Sequence, residues 1–416
     1  MRRIAVIGSG ISGLAAAYVL SRQHEVHLFE RDRRLGGHTH TVTVQGSRGP
    51  VALDTGFLVH NDRTYPNLIR LFREIGVETR DTDMSFAVSC RRTGLEYSSR
   101  GAAGFFAQPG NLLRLSHFHL LAEILRFNRE APAVLQTAQA GTLSLGTFLD
   151  DHRFSDAFVS QYLLPMASAI WSASLDAIRA FPAITFVRFF QNHGLLTLSD
   201  QPQWKVVVGG SHTYIPLLTA PLAGRVTTEA GVEHVSRGES GVTVTFADRP
   251  PQSFDEVVFA CHGDQVLSIL SDPTEVERDV FRRFRTTTNV ACLHTDASLL
   301  PTRPRARASW NYLLGGDADT PPTVTYDLNR LQRLSTPEQY CLTLNPRVAI
   351  DESRVLGRYV YRHPLYDQDA IEAQARWHTV SGTRHTHYCG AYWGYGFHED
   401  GLVSALRVAR ALGVTW

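Results

Sequence analysis

The first thirty residues alternate between short apolar runs and one glycine-rich turn. Residues 4–7 read Ile-Ala-Val-Ile without a polar interruption, which is typical of a strand buried on both faces. A stretch rich in alanine and leucine follows the turn, and a second apolar run ends just before Glu30. This pattern predicts a strand, a helix and a second strand in direct succession.

Helical periodicity dominates the middle of the chain. Phe186 and Phe190 show it most clearly, because they recur with their apolar neighbours at a spacing of about 3.6 residues. His193 and Gly194 predict the end of that helix. The predicted helical segments are residues 111–128, 156–171 and 182–196.

The stretch from Leu112 to Asn128 is amphipathic and suits either a domain interior or a membrane surface. Its basic residues are only Arg114 and Arg126, whereas binding to anionic lipid favours a dense basic face. We therefore expect a helix packed within a domain, and we keep peripheral membrane contact as the alternative.

Period-two alternation and turn residues predict strands elsewhere. Thr93 and Gly94 mark the turn of a hairpin over residues 86–98. Val242, Val244 and Phe246 alternate with polar residues in a second hairpin. Further predicted elements are a buried strand ending near Ala260, a strand in residues 386–391, and a closing helix in residues 402–413 with Gly413 past its end.

Composition narrows the class of protein. The chain has 416 residues, 43% of them hydrophobic, which is enough for two cores. Its formal charge of +1 offers no field for nucleic acid, so small-molecule chemistry is favoured. Five scattered cysteines, no room for a signal peptide before the first strand, and no long apolar run predict a cytoplasmic protein.

The first turn carries the pattern Gly-x-Gly-x-x-Gly at Gly8, Gly10 and Gly13. In a strand–turn–helix setting, the first glycine allows the tight turn and the second lets backbone N–H groups approach a pyrophosphate. The third allows the helix to pack on the strand, and an acidic residue ending the next strand binds ribose hydroxyls. Glu30 is that residue here, so we predict a dinucleotide site.

A second glycine pair, Gly36 and Gly37, follows Glu30, and the motif "VALDTGFLVHN" comes after a short extended segment. This order resembles the flavin-dependent amine oxidase superfamily. The resemblance implies an α/β fold in which a Rossmann-like FAD-binding domain is joined to a substrate domain of mixed sheet and helices. It also implies non-covalent FAD.

Cofactor contacts are implied residue by residue. Several positions depart from the family pattern, since His38 stands where the family usually has arginine and Ala391 where many relatives have glutamate. The position matching Val232 holds adenine through its backbone. The implied contacts are Gly8, Gly10, Ile11, Ser12, Gly13, Glu30, Arg31, Gly36, Gly37, His38, Thr39, Asp54, Gly56, Phe57, Leu58, Val232, Gly390, Glu399, Asp400, Gly401 and Leu402.

The resemblance also assigns the closing segment "CGAYWGYGFHEDGL" to the flavin ring. A helix starting near Gly401 is expected to direct its N–H groups at the flavin C2 carbonyl, with Glu399 and Asp400 as contacts or only as helix caps. The family organisation implies a discontinuous FAD domain of residues 1–80, 203–268 and 375–416. Residues 81–202 and 269–374 then form the substrate domain.

A second nucleotide site is not predicted. The segment from Val206 to Tyr214 has a glycine pair but lacks the third spaced glycine and an acid-terminated strand. FAD alone, receiving electrons from a substrate carbon, is the simpler assignment. The scattered histidine pairs lack the spacing or carboxylate neighbours of a metal site, so no metal is expected.

More narrowly, "LDTGFLVHN", "SWNYLLG", "YRHPLY" and the closing segment resemble a branch of NAD/FAD-binding oxidoreductases associated with cyclopropane and methylated fatty acids. That branch includes the flavoprotein portion attached to plant cyclopropane fatty acid synthases. The resemblance implies a hydrophobic substrate, in particular a lipid acyl chain, and desaturation or double-bond isomerisation by hydride transfer to flavin N5.

Two further readings stay open. One is an amine oxidase that releases hydrogen peroxide, and the other is a non-catalytic flavoprotein partner of a lipid methyltransferase. For catalysis, His398 is the first candidate general base because histidine titrates near neutral pH and lies beside the implied ring. Tyr326 and Asp327 in "VTYDLN" are second candidates. A packing or capping role is the alternative for His398.

Overall fold

A computed structural model of the protein describes residues 1–136, 143–171, 174–197, 201–314 and 323–416. The strands are β1 (Arg3–Ile7), β2 (Glu25–Phe29), β3 (Thr41–Gly46), β4 (Gly49–Asp54), β5 (His60–Asn61), β6 (Thr79–Asp81), β7 (Phe86–Cys90), β8 (Leu95–Ser98), β9 (Trp204–Val207), β10 (Val226–Thr227), β11 (Val232–Arg237), β12 (Val242–Phe246), β13 (Gln252–Phe254), β14 (Glu256–Phe259), β15 (Arg285–His294), β16 (Trp310–Leu314), β17 (Thr323–Asp327), β18 (Cys341–Leu344), β19 (Val355–Leu365) and β20 (Thr386–Tyr388). The helices are α1 (Ile11–Leu20), α2 (Pro66–Ile75), α3 (Gly101–Phe105), α4 (Leu115–Glu130), α5 (Leu145–Asp151), α6 (Asp156–Phe158), α7 (Leu164–Trp171), α8 (Leu175–Arg179), α9 (Ala183–Asn192), α10 (Tyr214–Thr219), α11 (Val266–Ile269), α12 (Glu275–Phe281), α13 (Leu328–Leu331), α14 (Gln368–Ala375), α15 (Trp377–Val380) and α16 (His398–Ala411).

A parallel sheet of five strands, in the order β10-β2-β1-β14-β20, forms the nucleotide-binding part of the fold. Ile4 to Val6 are fully buried, as expected for a strand covered on both faces. Helices α1 and α16 pack against each other beside this sheet. The predicted strand–helix–strand start and the Rossmann-like class are therefore confirmed.

The second large sheet is mixed and has seven strands in the order β19-β15-β18-β17-β16-β7-β8. Its pairs are antiparallel except β16 with β7. The predicted hairpin over residues 86–98 is its far edge, and Gly94 takes φ +66° in the turn. The sequence analysis did not predict β19, the long strand at the opposite edge.

Helices α4 to α9 cover this sheet with a core dominated by phenylalanine rings, such as Phe148, Phe158 and Phe186. The predicted helix over residues 156–171 is continuous but contains a π-helical turn at Val159–Leu163. Helix α9 ends at Asn192, with His193 as its C-cap and Gly194 at φ +66°, as predicted.

The closing helix starts earlier than predicted. The sequence placed its beginning near Gly401, whereas α16 begins at His398. The Asp400 carboxylate accepts a hydrogen bond from Phe397 N at 2.9 Å, so the cap lies one turn closer to the amino terminus. Consequently His398, Glu399 and Asp400 belong to the first turn of the helix and not to a loop.

The domain bounds 1–80, 203–268 and 375–416, with 81–202 and 269–374, stay a prediction. All five strands of the parallel sheet do lie within residues 1–80, 203–268 and 375–416. Among the helices of the described residues, none combines the length and the apolar character that crossing a bilayer requires.

Candidate functional site

Two glycine turns lie side by side at the carboxyl end of β1. Gly8 takes φ +102°, and a Cβ on Gly13 would lie 1.8 Å from the Gly8 carbonyl oxygen, so neither accepts a side chain. A Cβ on Gly37 would lie 3.2 Å from Gly10 Cα, which brings the second glycine pair against the first turn. A Cβ on Gly10 would meet no heavy atom within 4 Å. The backbone at Gly10 therefore faces open space.

The amino terminus of α1 opens onto the same space. Its N-cap is Gly10, which offers no side-chain acceptor, and the first intrahelical bond runs from Leu14 N to the Gly10 carbonyl. The N–H groups of Ile11, Ser12 and Gly13 precede that bond and have no partner within the helix. Unpaired N–H groups and the helix dipole suit a pyrophosphate.

Glu30 lies beside this turn. Its carboxylate accepts hydrogen bonds from Ser9 N and Asp32 N, both at 2.9 Å. Its carbonyl accepts from Ala230 N at 2.8 Å, which brings the start of β11 alongside. The structure thus gathers Glu30, Arg31 and Val232, the implied adenosine contacts, since a Cβ on Gly231 would lie 3.4 Å from Arg31 Cγ.

Gly36 and Thr39 continue the cofactor path towards the large sheet. Gly36 N donates to the Ser9 carbonyl at 3.0 Å, and Gly36 takes φ +106°. Thr39 is fully buried, and its hydroxyl is hydrogen-bonded to the Tyr214 hydroxyl. His398 Nε2 lies 3.1 Å from the same Thr39 oxygen. Thr39 therefore joins the second glycine turn to α16.

The Asp54 side chain is used within the protein. It accepts hydrogen bonds from Thr41 Oγ1 at 2.6 Å, Ser211 N at 2.9 Å and Ser211 Oγ at 2.8 Å. Burial raises its pKa to about 6. Asp54 thereby ties β4 to the glycine turn after β9, and its contact with the cofactor stays a prediction.

The turn after Asp54 packs on the second glycine turn through its backbone. A Cβ on Gly56 would lie 2.1 Å from the His38 carbonyl oxygen, which also accepts from Phe57 N at 2.7 Å. Phe57 joins the core of the nucleotide domain, whereas Leu58 packs against the core of the large sheet. This turn is the seam between the two cores.

His398 lies in this seam. Its ring stacks on Phe57 with centroids 3.7 Å apart and an interplanar angle of 17°. Its Nε2 is 3.2 Å from the Tyr214 hydroxyl. Burial lowers its pKa to about 3, so the ring is neutral at pH 7. The position matches the prediction, but the near-neutral pKa on which its role as a base was argued is not found.

The two acids after His398 cap helices. Glu399 accepts from Asn67 N at 3.0 Å and from Leu68 N at 2.9 Å, at the amino terminus of α2. Asp400 caps α16 itself, and burial raises its pKa to about 6. The capping alternative therefore describes both carboxylates, and their contact with the cofactor stays a prediction.

Gly401 lets α16 approach α1. A Cβ there would lie 2.7 Å from Ile11 Cγ2 and 2.8 Å from Ser12 Oγ. Leu402 is fully buried in the same core, and Gly390 N donates to Ser404 Oγ at 2.8 Å. The amino termini of the two helices consequently converge, one suited to a pyrophosphate and the other to the flavin ring.

Tyr326 and Asp327 lie elsewhere in the large sheet. Asp327 caps α13 by accepting from Arg330 N at 3.1 Å, and Tyr326 packs edge-on against Trp310. Burial raises the pKa of Tyr326. Among the described residues, neither side chain has a hydrogen bond or ring contact with His398. The structure does not bring these second candidates to the first.

Sequence reasoning missed a cluster of half-buried histidines beside the glycine turns. The His38 ring lies 5.0 Å from His363 and 6.2 Å from His262, and its Nε2 is buried without a partner among the described residues. Asn289 Nδ2 is 2.7 Å from His363 Nδ1. Burial lowers the pKa of all three histidines, that of His363 to about 4. They come from three distant segments, so no spacing could reveal the cluster.

His60 is a second residue that the sequence did not single out. It is 1% exposed, and both ring nitrogens lack a partner among the described residues. Burial lowers its pKa to about 4. It lies next to Phe57, with ring centroids 6.4 Å apart. Within the described residues, no group of three His, Cys, Asp or Glu side chains is arranged to hold a metal ion.

An aromatic wall, formed by Phe189, His193, Trp204, Tyr395 and Phe397, faces the seam from α9 and the closing segment. Phe189 stacks on Phe397 at 5.2 Å and lies 5.8 Å from Tyr395. His193 stacks on Phe189 at 3.8 Å, and burial lowers its pKa to about 4. The wall is therefore apolar and uncharged at pH 7.

Replacing Glu399 separates capping from cofactor binding. We expect Glu399→Ala to lower the free energy of unfolding by about 1–2 kcal/mol, because α2 loses its cap. FAD affinity should change by less than about threefold, a shift of under ~1 kcal/mol. Chemical denaturation and flavin titration measure the two quantities, with the exposed Glu239→Ala as control. A large loss of affinity at unchanged stability would restore Glu399 as a cofactor ligand.

Comparisons with known proteins agree with this geometry. The family model described as Flavin containing amine oxidoreductase matches residues 11–300. The putative flavin-containing monoamine oxidase AofH of Mycobacterium tuberculosis is 28% identical over 278 residues, which are 65% of this chain and 59% of that protein. The chain thus spans less than two thirds of that relative's length.

Solved structures show the same fold across nearly the whole chain. Putrescine oxidase bound to putrescine has a TM-score of 0.71 at 16% identity, covering 99% of this chain and 98% of that one. Cyclohexylamine oxidase from Brevibacterium oxydans IH-35A gives 0.71 at 15%, with 99% of each chain covered. The CLA-producing fatty acid isomerase from P. acnes gives 0.68 at 15%, with 98% of each.

At such low identities the structures establish the fold alone. The family match covers more than half of the chain, and the superfamily resemblance predicted from the glycine motifs is confirmed. The narrower association with fatty acids stays a prediction. The chain belongs to the flavin containing amine oxidoreductase family.

Proposed function

We propose that the protein binds FAD without a covalent bond and uses it to isomerise or desaturate a lipid acyl chain. The observation that carries the proposal is the aromatic wall, which offers rings and a neutral histidine and no charge to a substrate. An apolar surface of this kind with few polar groups suits an acyl chain better than a cationic amine.

FAD is supported by the division of the site. Glu30 and the start of β11 suit an adenosine, the two glycine turns and α1 suit a diphosphate, and α16 closes the far end at the seam. A flavin that lacks the adenine nucleotide would leave the region around Glu30 and the start of β11 unoccupied. When bound, the flavin accepts a hydride from carbon and can return it.

Non-covalent binding is supported by the cysteines near the path. Cys389 is fully buried, and burial raises its pKa. Burial likewise raises the pKa of Cys261 to about 12. Both thiols are protonated at pH 7 and are therefore poor nucleophiles towards a flavin.

Denaturation tests this attachment directly. We expect acid precipitation of the yellow protein to leave all of the flavin in the supernatant, because no cysteine thiolate is available to hold it. The polypeptide mass should equal that of the sequence. A pellet that stays yellow, with a polypeptide heavier by the mass of FAD, contradicts the proposal.

The charged groups near the aromatic wall also favour an acyl substrate over an amine. Tyr395 is influenced by two charged groups, Arg188 and Asp400. Arg188 is exposed on α9, and the Asp400 carboxylate is bonded to Phe397 N. Arg188 is itself a cation, and the Asp400 carboxylate already accepts a hydrogen bond. Neither group therefore offers a free buried carboxylate to the ammonium group of an amine substrate. The amine oxidase alternative is supported by the names of the relatives, putrescine oxidase and cyclohexylamine oxidase, and by the aromatic rings, which can also bind a cation.

The protonation state of the site favours isomerisation. Desaturation removes a hydride and a proton from the chain, so it needs a base, whereas moving a double bond removes a hydride from one carbon and returns it to another. His398 has a pKa of about 3 and makes a weak base. His398 and the Tyr214 hydroxyl are both hydrogen-bonded to Thr39. Together they instead form a fixed polar edge beside Phe57. Tyr326 and Asp327 remain second candidates for a base.

The experiment compares acyl and amine substrates on FAD-loaded protein. Anaerobically, we expect unsaturated acyl lipids to bleach the visible flavin band or to change double-bond position without net bleaching, as read by mass spectrometry of the products. An amine panel should give neither bleaching nor, in air, peroxide. Peroxide from amines, with unchanged acyl chains, would decide for the amine oxidase.

Matched substitutions in the wall sharpen the result. Phe189→Leu keeps the wall apolar, whereas Phe189→Gln adds an amide of similar length. We expect the Gln variant to lose at least about tenfold in kcat/KM for acyl substrates and the Leu variant to lose less, since an unpaired buried amide costs more than a lost ring edge. Flavin content serves as the folding control.

A third reading is a flavin-carrying partner of a lipid methyltransferase without turnover of its own. It predicts stoichiometric FAD and no substrate reduction in isolation. Adding a candidate methyltransferase with its lipid then distinguishes the two cases, because a partner protein changes the methyltransferase product and an independent enzyme does not.

A further inference from the structure

An unusual apolar surface lies on the cap of helices over the large sheet. It consists of Leu112, Leu113, Leu115, Phe118 and Leu125, and we call it the leucine surface. Their exposed fractions are 56%, 89%, 78%, 42% and 46%. We propose that the leucine surface docks the protein onto an anionic lipid membrane.

The clustering sets this surface apart. Of the other large apolar side chains exposed to solvent in the described residues, Leu356 and Val360 share one face of β19, and most of the rest, for example Leu217 and Val276, are isolated. Single exposed apolar residues are normal, whereas a contiguous patch marks an interaction site. Here five such side chains fall within fourteen consecutive residues.

Packing inside the protein does not account for these side chains. Helix α4 already buries its inner face, with Leu120, Ile124 and Phe127 in the core of the large sheet. The 3₁₀ turn Pro109–Leu113 before it holds Leu112 and Leu113 outwards. A helix with apolar residues on both faces needs a second apolar environment in addition to the protein core.

The charge around the leucine surface is positive. From residue 97 to 125 the sequence has one acidic residue, Glu123, which is paired with Arg126 at 3.4 Å, and Arg114 in this interval is exposed. Glu96 is neutralised by Arg303, at 3.1 Å. The surface therefore combines protruding apolar side chains with the exposed cation of Arg114.

Two more arginines come from the β7–β8 hairpin. Gln108 Nε2 donates to the Gly94 carbonyl at 2.5 Å, and its Oε1 accepts from Glu96 N at 3.0 Å. These bonds hold the hairpin turn, with exposed Arg91 and Arg92, against the segment that carries the leucines. Sequence distance hid this juxtaposition, since α4 alone has too few basic residues.

An anionic bilayer fits both features at once. Interfacial segments bury apolar side chains roughly 5–10 Å into the headgroup region, and each basic residue near the surface adds about a fivefold preference for anionic lipid. The helix is too short and too polar to span a bilayer, so contact is peripheral. The inference does not depend on the substrate class.

Flotation with vesicles tests it on the FAD-loaded full chain. We expect the protein to float with vesicles of phosphatidylcholine and phosphatidylglycerol, and less with phosphatidylcholine alone or at raised salt. Leu113→Ser/Leu115→Ser should lower the partition coefficient at least about tenfold, because the variant loses two leucine side chains that the parent buries in the membrane. Arg91→Gln/Arg92→Gln should lower it by roughly tenfold or more on the anionic vesicles only.

The control is Val276→Ser/Leu356→Ser, which removes two exposed apolar side chains, 41% and 42% exposed, elsewhere on the protein. It should float like the parent. The inference is overturned if the parent does not float, or if the leucine variant floats as well as the parent. It is equally overturned if the leucine variant turns a dimer into a monomer without vesicle binding, which would assign the surface to a second copy. No outcome uses turnover, so failure here is separate from failure of the proposed function.

Discussion

Gly10→Val is expected to fold normally and to lose FAD, with an affinity at least about 100-fold lower. Gly10 is in extended backbone at φ −63° and ψ 177°, which valine accepts without strain. A Cβ there meets no protein atom within 4 Å. The added side chain therefore clashes only with a ligand against the turn, and overpacking of this kind costs about 1–3 kcal/mol or more.

The matched control for this change is Gly110→Val. A Cβ on Gly110 also meets no heavy atom within 4 Å, but the residue lies in the 3₁₀ turn before α4. We expect the control to bind FAD like the parent. Flavin titration gives the affinity and thermal unfolding the stability. If Gly10→Val binds FAD as tightly as the parent, the diphosphate does not lie at this turn.

Lowering the pH is expected to destabilise the protein steeply between about pH 6.5 and 4. Burial lowers the pKa of His60, His193 and His363 to about 4 and of His398 to about 3. Unfolded histidine titrates near pH 6.5, so the unfolded chain binds more protons in this window and stability falls with pH. Each contributes on the order of 2 kcal/mol between pH 7 and 5.

Asp54 and Asp400, with pKa values raised to about 6, bind protons on folding in this window and offset part of the loss, but four histidines outweigh two carboxylates, and the remainder is a large part of the ~5–15 kcal/mol net stability of an ordinary domain. Denaturant unfolding at fixed FAD concentration from pH 8 to 5 measures the effect. His193→Phe, in a stack of rings, should reduce the slope by about one proton, or ~1.4 kcal/mol per pH unit. Replacing the exposed His234 by Phe should leave the slope unchanged. A flat stability between pH 7 and 5 would contradict the neutral, buried state of these rings.

The sequence predicted those parts of the site whose residues lie within one contiguous stretch of the chain. Gly8, Gly10 and Gly13 share one turn, and their steric requirements follow from local backbone geometry alone. Glu30 follows because parallel strands end at the same edge of a sheet. In these places the local pattern and the fold impose the same residue type.

The remaining parts depend on contacts between distant segments. Glu399 looked like a cofactor ligand, but its partner Asn67 is 332 residues away in sequence, and only the folded chain brings the α2 amino terminus to it. The start of α16 moved to His398 because Asp400 reaches back to Phe397 N. His38, in the turn after Gly37, meets His363 of β19, and periodicity carries no information about such a meeting.

Crystallographic difference density for the FAD-loaded protein tests the central claim most directly, namely that one FAD extends from the first glycine turn to the amino terminus of α16. We expect the diphosphate against Gly10 and Gly37, the adenosine ribose on Glu30, and the ring beside Phe57 and His398. Density for FAD at any other place on the chain, or a fully folded protein that takes up none, would contradict it.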